Sequence, residues 1–237
     1  MPNHYGPLPF AFIFLTLTLA SGLVFLLRRL FPIPKWKCAV PLTCWLGLQA
    51  LLAKAGFFLD FQALPPHLGL ILLPNIALLF FAGLGLRSSP AFAARLASIP
   101  AAILIGYQSF RLVMETILYA LVANHQLPPL MSFEGSNFDV LVGLTAPVMA
   151  TLLYWSKDPR TYQVAIVWNF VSFGILTNTV FHAILAAPTP FQAYFTNPPN
   201  TLIGEFPWIW LPGFVVPCAL VGHILSIRQL RLLRSAG

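Results

Sequence analysis

Seven apolar runs dominate this chain, each close to the ~20 residues that carry a helix across ~30 Å of hydrocarbon. They span 8–27, 39–59, 68–86, 99–123, 138–155, 163–186 and 207–227. A backbone in hydrocarbon must satisfy its own hydrogen bonds, so runs of this length predict helices. The connections between them alternate in charge. Arg28, Arg29, Lys35 and Lys37 follow the first run, Arg87 and Arg95 the third, Lys157 and Arg160 the fifth, and Arg228, Arg231 and Arg234 the seventh. The other three connections hold no Lys or Arg. Basic loops stay on the cytoplasmic side. The pattern therefore predicts an all-α integral membrane bundle of seven transmembrane helices, N-terminus outside and C-terminus cytoplasmic, with residues 1–237 as one domain.

Composition agrees with a lipid solvent. The chain is 58% hydrophobic and 8% charged, with a mean hydropathy of +0.82. A soluble protein of this size needs more charge to cover its surface. The net charge of +7 reflects the basic loops, which also suit anionic lipids. Those cations are dispersed rather than gathered into a patch with interleaved aromatics, so no nucleic-acid partner is expected. The segment before the first run has no cation, whereas Arg28 and Arg29 follow it. That order predicts a retained anchor rather than a cleaved signal. Cys38, Cys44 and Cys218 are too few for a disulfide framework and form no CxxC.

Two cations escape the loops. Lys54 falls near the outer end of the second run, where its amine can snorkel to the headgroups. Arg111 lies in the middle of the fourth run, where a cation is expensive. Gln108, Arg111, Glu115 and Tyr119 recur at spacings of three, four and four, which places them on one helix face. Glu115 is within reach of Arg111, but Arg before Glu is the weaker order for a local pair. The stripe therefore calls for partners on other helices. It reads either as a ligand site, or a proton or ion relay, or as a buried clamp that fixes packing.

Other polar groups favour the outer half. Asn75 sits beside Pro74, whose missing N–H frees a carbonyl; Asn178 and His182 share one face of the sixth run. His67, His125 and His182 with Asp60, Glu134 or Asp139 offer metal-ligand chemistry, but no two histidines have helical ligand spacing, so no metal site is expected. His223 is placed near the inner end of the last helix, away from this group. No nucleophile elbow is present, and the residues leave the cofactor unknown. Pro90 followed by AFAARL reads as a short interfacial helix or a tight loop. Trp208 and Trp210 stand at the depth of an aromatic belt, and Gly143, Ala146 and Ala150 make a face for close helix contact. The proline-rich stretch 187–206, with Phe191, Tyr194 and Phe195, reads as an interfacial belt or as a lid over the outer mouth.

The segments RLVMETILYAL, MSFEGSNFDVLVGLTAP and FPWIWLPGFVVPCAL resemble a family of uncharacterised bacterial polytopic membrane proteins over the second half of the chain. The resemblance implies a bacterial inner-membrane location and marks Arg111, Glu115, Glu134, Asn137 and Asp139 as belonging to its characteristic segments. It implies no activity. From the residues themselves, the expectation is binding or translocation of a small polar or anionic solute through an outward-opening cavity. Arg111, Glu115, Gln108, Tyr119, Asn75, Asn178 and His182 would line it. Two alternatives stand beside it: a membrane-embedded enzyme, metal-dependent or not, with its site at the outer face, and a non-catalytic subunit with a membrane-protein partner.

Overall fold

The structure is a computed structural model in which residues 6–63, 71 and 89–236 are described. The third predicted span, 68–86, apart from Ile71, and with it Asn75, lies outside the described residues. Among the described residues every regular element is helical. Helix α1 covers Leu8–Leu30, α2 Lys35–Lys54 and α3 Pro90–Ser98. Helix α4 is Ala101–Ala123, α5 Asp139–Trp155, α6 Pro159–Ala186 and α7 Leu211–Ser235. Five of these, α1, α2, α4, α6 and α7, are long and apolar enough to cross a membrane.

The predicted runs and the observed helices differ where backbone geometry intervenes. Pro34, extended at its ψ of 148°, starts α2 one turn earlier than its apolar run. Helix α6 begins at Pro159 because the Asp158 carboxylate caps it, accepting from the Arg160 N–H at 2.7 Å. The apolar count had missed that polar first turn. The segment after Ser89 is the short helix: the Ser89 hydroxyl accepts from Phe92 N–H at 3.3 Å, and Pro90 takes the first helical position.

The basic residues of separate connections converge on one end of the bundle. Arg95 on α3 donates to the Leu30 carbonyl that ends α1. Gln229 on α7 donates to the Leu96 and Ile99 carbonyls at 2.7 and 2.5 Å, and Arg234 donates to Gln163 on α6. At the far end, Gln62 donates to Pro188 O at 2.9 Å. Helix α1 starts at this far end, and α7 finishes at the basic end.

Apolarity is distributed as lipid requires. Leu141, Leu144, Val148, Leu152 and Trp155 face outward along α5, each about half exposed or more. Their spacing of three or four residues marks one helix face. The interior holds Gln108, Arg111, Glu115, Asn137, Asn169, His223, Ser226 and Gln229, none above 2% exposed. Polar groups inside an apolar shell are the reverse of a soluble fold.

The small-residue face of α5 does what its spacing predicts. A Cβ on Gly143 would fall 2.4 Å from the Leu112 backbone nitrogen, Ala146 is fully buried, and Ala150 meets Gly106. Without side chains there, α4 and α5 touch backbone to backbone. Trp208 and Trp210 depart from expectation. They are 2% and 7% exposed, and Trp208 packs on Phe12 at 5.0 Å. Their indoles fill the main core between α1, α2 and α4 rather than a belt. In the 187–206 stretch, Phe191 and Phe195 do point outward, at 63% and 86% exposure, while Asn200 is buried and ties the stretch to Ala183 O at 3.1 Å.

Candidate functional site

Helix α4 places Arg111 ten residues from its start and twelve from its end, about 15 and 18 Å along the axis. The side chain is 2% exposed, so its five donors must be matched within the protein. One terminal nitrogen donates to the Asp139 carboxylate in a salt bridge. The other lies 3.2 Å from His223 Nε2. The Nε has no hydrogen-bond partner among the described residues.

Asp139 reaches this depth because the connection between α4 and α5 dips into the bundle. Leu127, Met131, Ser132 and Asn137 along it are all 5% exposed or less. Irregular backbone within a membrane bundle is tolerated only when protein covers it. Helix α5 then starts at Asp139, about three turns of α4 below Ala123, and needs only 17 residues to reach Trp155. Its shortness is thus a consequence of the re-entrant connection. An acidic residue in the first turn also suits the positive end of the helix dipole.

Asn137 is the hub of that connection, with both amide hydrogens and both lone-pair directions used. It donates to Glu115 Oε1 at 2.5 Å and to Met131 O at 3.1 Å. It accepts from Asp139 N–H at 3.1 Å and from the Thr179 hydroxyl at 2.9 Å. Glu115 therefore pairs with Asn137, whereas the carboxylate on Arg111 is Asp139 of α5 rather than the neighbour one turn along α4. The second Glu115 oxygen is buried without a partner among the described residues, as is Gln108 Oε1.

On the other side of Arg111 the chain of bonds continues through α7 and α6. Arg111 can only donate, so His223 Nε2 accepts and its proton sits on Nδ1. That Nδ1 lies 2.9 Å from Asn169 Oδ1, and Asn169 Nδ2 donates to Ser226 Oγ at 3.1 Å and Ala165 O at 2.8 Å. A connected set of buried polar groups thus runs from Glu115 to Ser226 across four helices. Counting charges, Arg111 matches one of the two carboxylates near it. The centre offers a donor at Arg111 Nε and acceptors at Gln108 Oε1 and Glu115 Oε2, all on one stripe of α4.

The remaining predicted site residues are placed as follows. Gln108 donates to Ala219 O at 3.1 Å, next to Gly222, which has no side chain to displace it. Tyr119 is 38% exposed and stacks on Phe133 at 4.9 Å, outside the polar set. Asn178 donates to Ser136 O at 2.9 Å, beside the Asn137 hub, and His182 Nδ1 sits 2.9 Å from Asn178 O. His182 also stacks on Tyr194 at 5.6 Å, so this pair secures loops at the far end. Lys54 ends α2 and is exposed, with its amine 4.8 Å above the Phe206 ring. Among the described residues no three His, Cys, Asp or Glu side chains gather as metal ligands.

Sequence reasoning missed His223 and Asn169 as members of the centre. The available signal was the run of buried polar residues His223, Ser226 and Gln229 at spacings of three on α7. Three polar residues on one turn-to-turn line of a membrane helix point inward.

The chain belongs to a family described as a domain of unknown function, DUF8737, whose model matches residues 68–231. That match begins well before the half of the chain that carries the sequence resemblance, and it contains every residue of the polar centre. No curated protein and no solved structure matches the chain.

Proposed function

We propose that this is a multi-pass protein of a bacterial cytoplasmic membrane, with its basic end inside, that binds and translocates a small polar solute at the Arg111 centre. The observation that carries the reading is the row of atoms on α4 that have no hydrogen-bond partner among the described residues: Gln108 Oε1, Arg111 Nε and Glu115 Oε2. Buried polar atoms cost about 1–3 kcal/mol each when left unmatched. Three on one stripe, beside a buried ion pair, fit a site that receives its missing partners from a solute. Asp139 already neutralises Arg111, so the preferred solute is zwitterionic or neutral rather than a simple anion. Its acceptor end meets Arg111 and its donor end meets Glu115. With Arg111 at 2% exposure, this conformer is the closed one, and access requires the 127–137 connection to lift.

The test uses purified protein in detergent, followed by thermal unfolding with glycine, acetate or urea as probes. A ligand at 100 times its Kd stabilises by about 2.7 kcal/mol. Saturable stabilisation by glycine, lost in Glu115→Gln and Arg111→Lys while both variants stay folded, supports the reading. No stabilisation by any probe, or stabilisation indifferent to both substitutions, removes it. The full packing of Arg111 favours one rival, a clamp in a non-catalytic membrane subunit. Stoichiometric co-purification of a second membrane protein, with no solute effect, would establish that instead.

A further inference from the structure

A groove of about 630 Å³ lies between α1, α4 and α7, and none of its lining residues takes part in the hydrogen bonds of the Arg111 centre. Its walls are apolar, with Leu19, Leu23, Leu26, Ile103, Leu104 and Val221 among them. Volumes of this size hold a single small ligand. On α1 the lining runs from Leu15 to Arg29, about 21 Å along the helix axis. One leaflet contributes about half of the ~30 Å hydrocarbon core, so the groove is long enough for a lipid chain.

Charge is confined to one end. Arg29 lines the groove, is solvent-exposed, and holds its guanidinium 5.2 Å from the Phe25 ring centroid. Arg28 is adjacent and also exposed, and Arg95 bonds the Leu30 carbonyl just beyond. The basic mouth and apolar body are complementary to an amphiphile with an anionic head. Basic pockets between membrane helices on the cytoplasmic side take such headgroups. Gly22 supplies the room: a Cβ added there meets none of the described residues within 4 Å. On the opposite wall Tyr107 is held in place by its hydroxyl, which donates to the Cys218 carbonyl.

We propose that this groove is a binding site for one anionic phospholipid of the leaflet at the basic end, with a chain between α1, α4 and α7 and its phosphate at Arg29. The site is separate from the solute reading and stands or falls without it. The lipid would fill a gap in the packing of the described helices that the apolar wall of α1 leaves open, and would make the fold sensitive to membrane composition.

The experiment is native mass spectrometry of the purified full chain with added phosphatidylglycerol or phosphatidylcholine. One phosphatidylglycerol per chain should be retained over phosphatidylcholine. Arg29→Gln should weaken phosphatidylglycerol about fivefold, the effect of one cation near a membrane surface, and leave phosphatidylcholine unchanged. Gly22→Leu, which projects into open space, should displace both lipids; Ile103→Trp, from the other wall, is the second plug if the first fails to fold. Equal retention of the two lipids, or retention unaffected by both plugs, overturns the proposal. So does a photo-reactive residue at position 22 that crosslinks to residues 72–88 of the same chain or to a second copy, since either would already fill the groove.

Discussion

Separating Arg111 from Asp139 should cost more than removing both. The two are buried at side-chain exposures of 2% and 11%, and losing one partner of such a pair costs about 3–5 kcal/mol. The structure predicts an asymmetry within that range. In Arg111→Met the Asp139 carboxylate keeps the first turn of α5 and its dipole, so the cost should fall near ~3 kcal/mol. In Asp139→Leu the guanidinium loses its hydrogen-bonded carboxylate and, among the described residues, keeps only the uncharged His223 as a hydrogen-bond partner, so the cost should approach ~5 kcal/mol. The double variant carries no buried charge at this pair, and replacing a buried pair with apolar residues is often neutral. Its main residual penalty is the His223 Nε2 left without a donor, ~1 kcal/mol. Urea or thermal unfolding in detergent, read by the fluorescence of the six tryptophans, gives all four stabilities. The double variant should be more stable than either single one. If it is instead the least stable of the set, the two residues do not form a shared pair and the site as described is wrong. Retained fold with lost solute response in the double variant would separate packing from binding.

Two further outcomes follow from the packing. Gly143→Ala puts a Cβ 2.4 Å from the Leu112 backbone nitrogen, and backbone cannot yield like a side-chain tip; overpacking costs of ~1–3 kcal/mol should lower the unfolding midpoint, whereas Gly174→Ala, with none of the described residues within 4 Å, should not. Asn137→Leu strands Glu115 Oε1, Met131 O and the Asp139 N–H, so it should destabilise by at least ~2 kcal/mol and release the re-entrant connection. A cysteine at Ser132, fully buried in the native fold, should then react with a water-soluble maleimide many times faster than in the Asn137 parent; unchanged labelling would show that Asn137 does not hold the connection.

The alternation of apolar runs and basic connections determined that the chain is helical and where most of its helices lie, because length and hydropathy act locally along the chain. Local spacing also marked the Gly143 face and the stripe of Gln108, Arg111 and Glu115, since residues three or four apart on a helix share a side regardless of what surrounds it. Partner choice was beyond that logic. The sequence offers Glu115 to Arg111 one turn away, yet the bond goes to Asp139, 28 residues on, because the connection before α5 folds back into the bundle and carries its first turn to mid-depth. His223 joins from α7 and Asn169 from α6 by the same tertiary route. Trp208 and Trp210 were inside rather than at an interface for a related reason: hydropathy ranks a residue's depth along a helix but is silent on which way its side chain turns. A periodic pattern fixes faces, and only packing decides what each face meets.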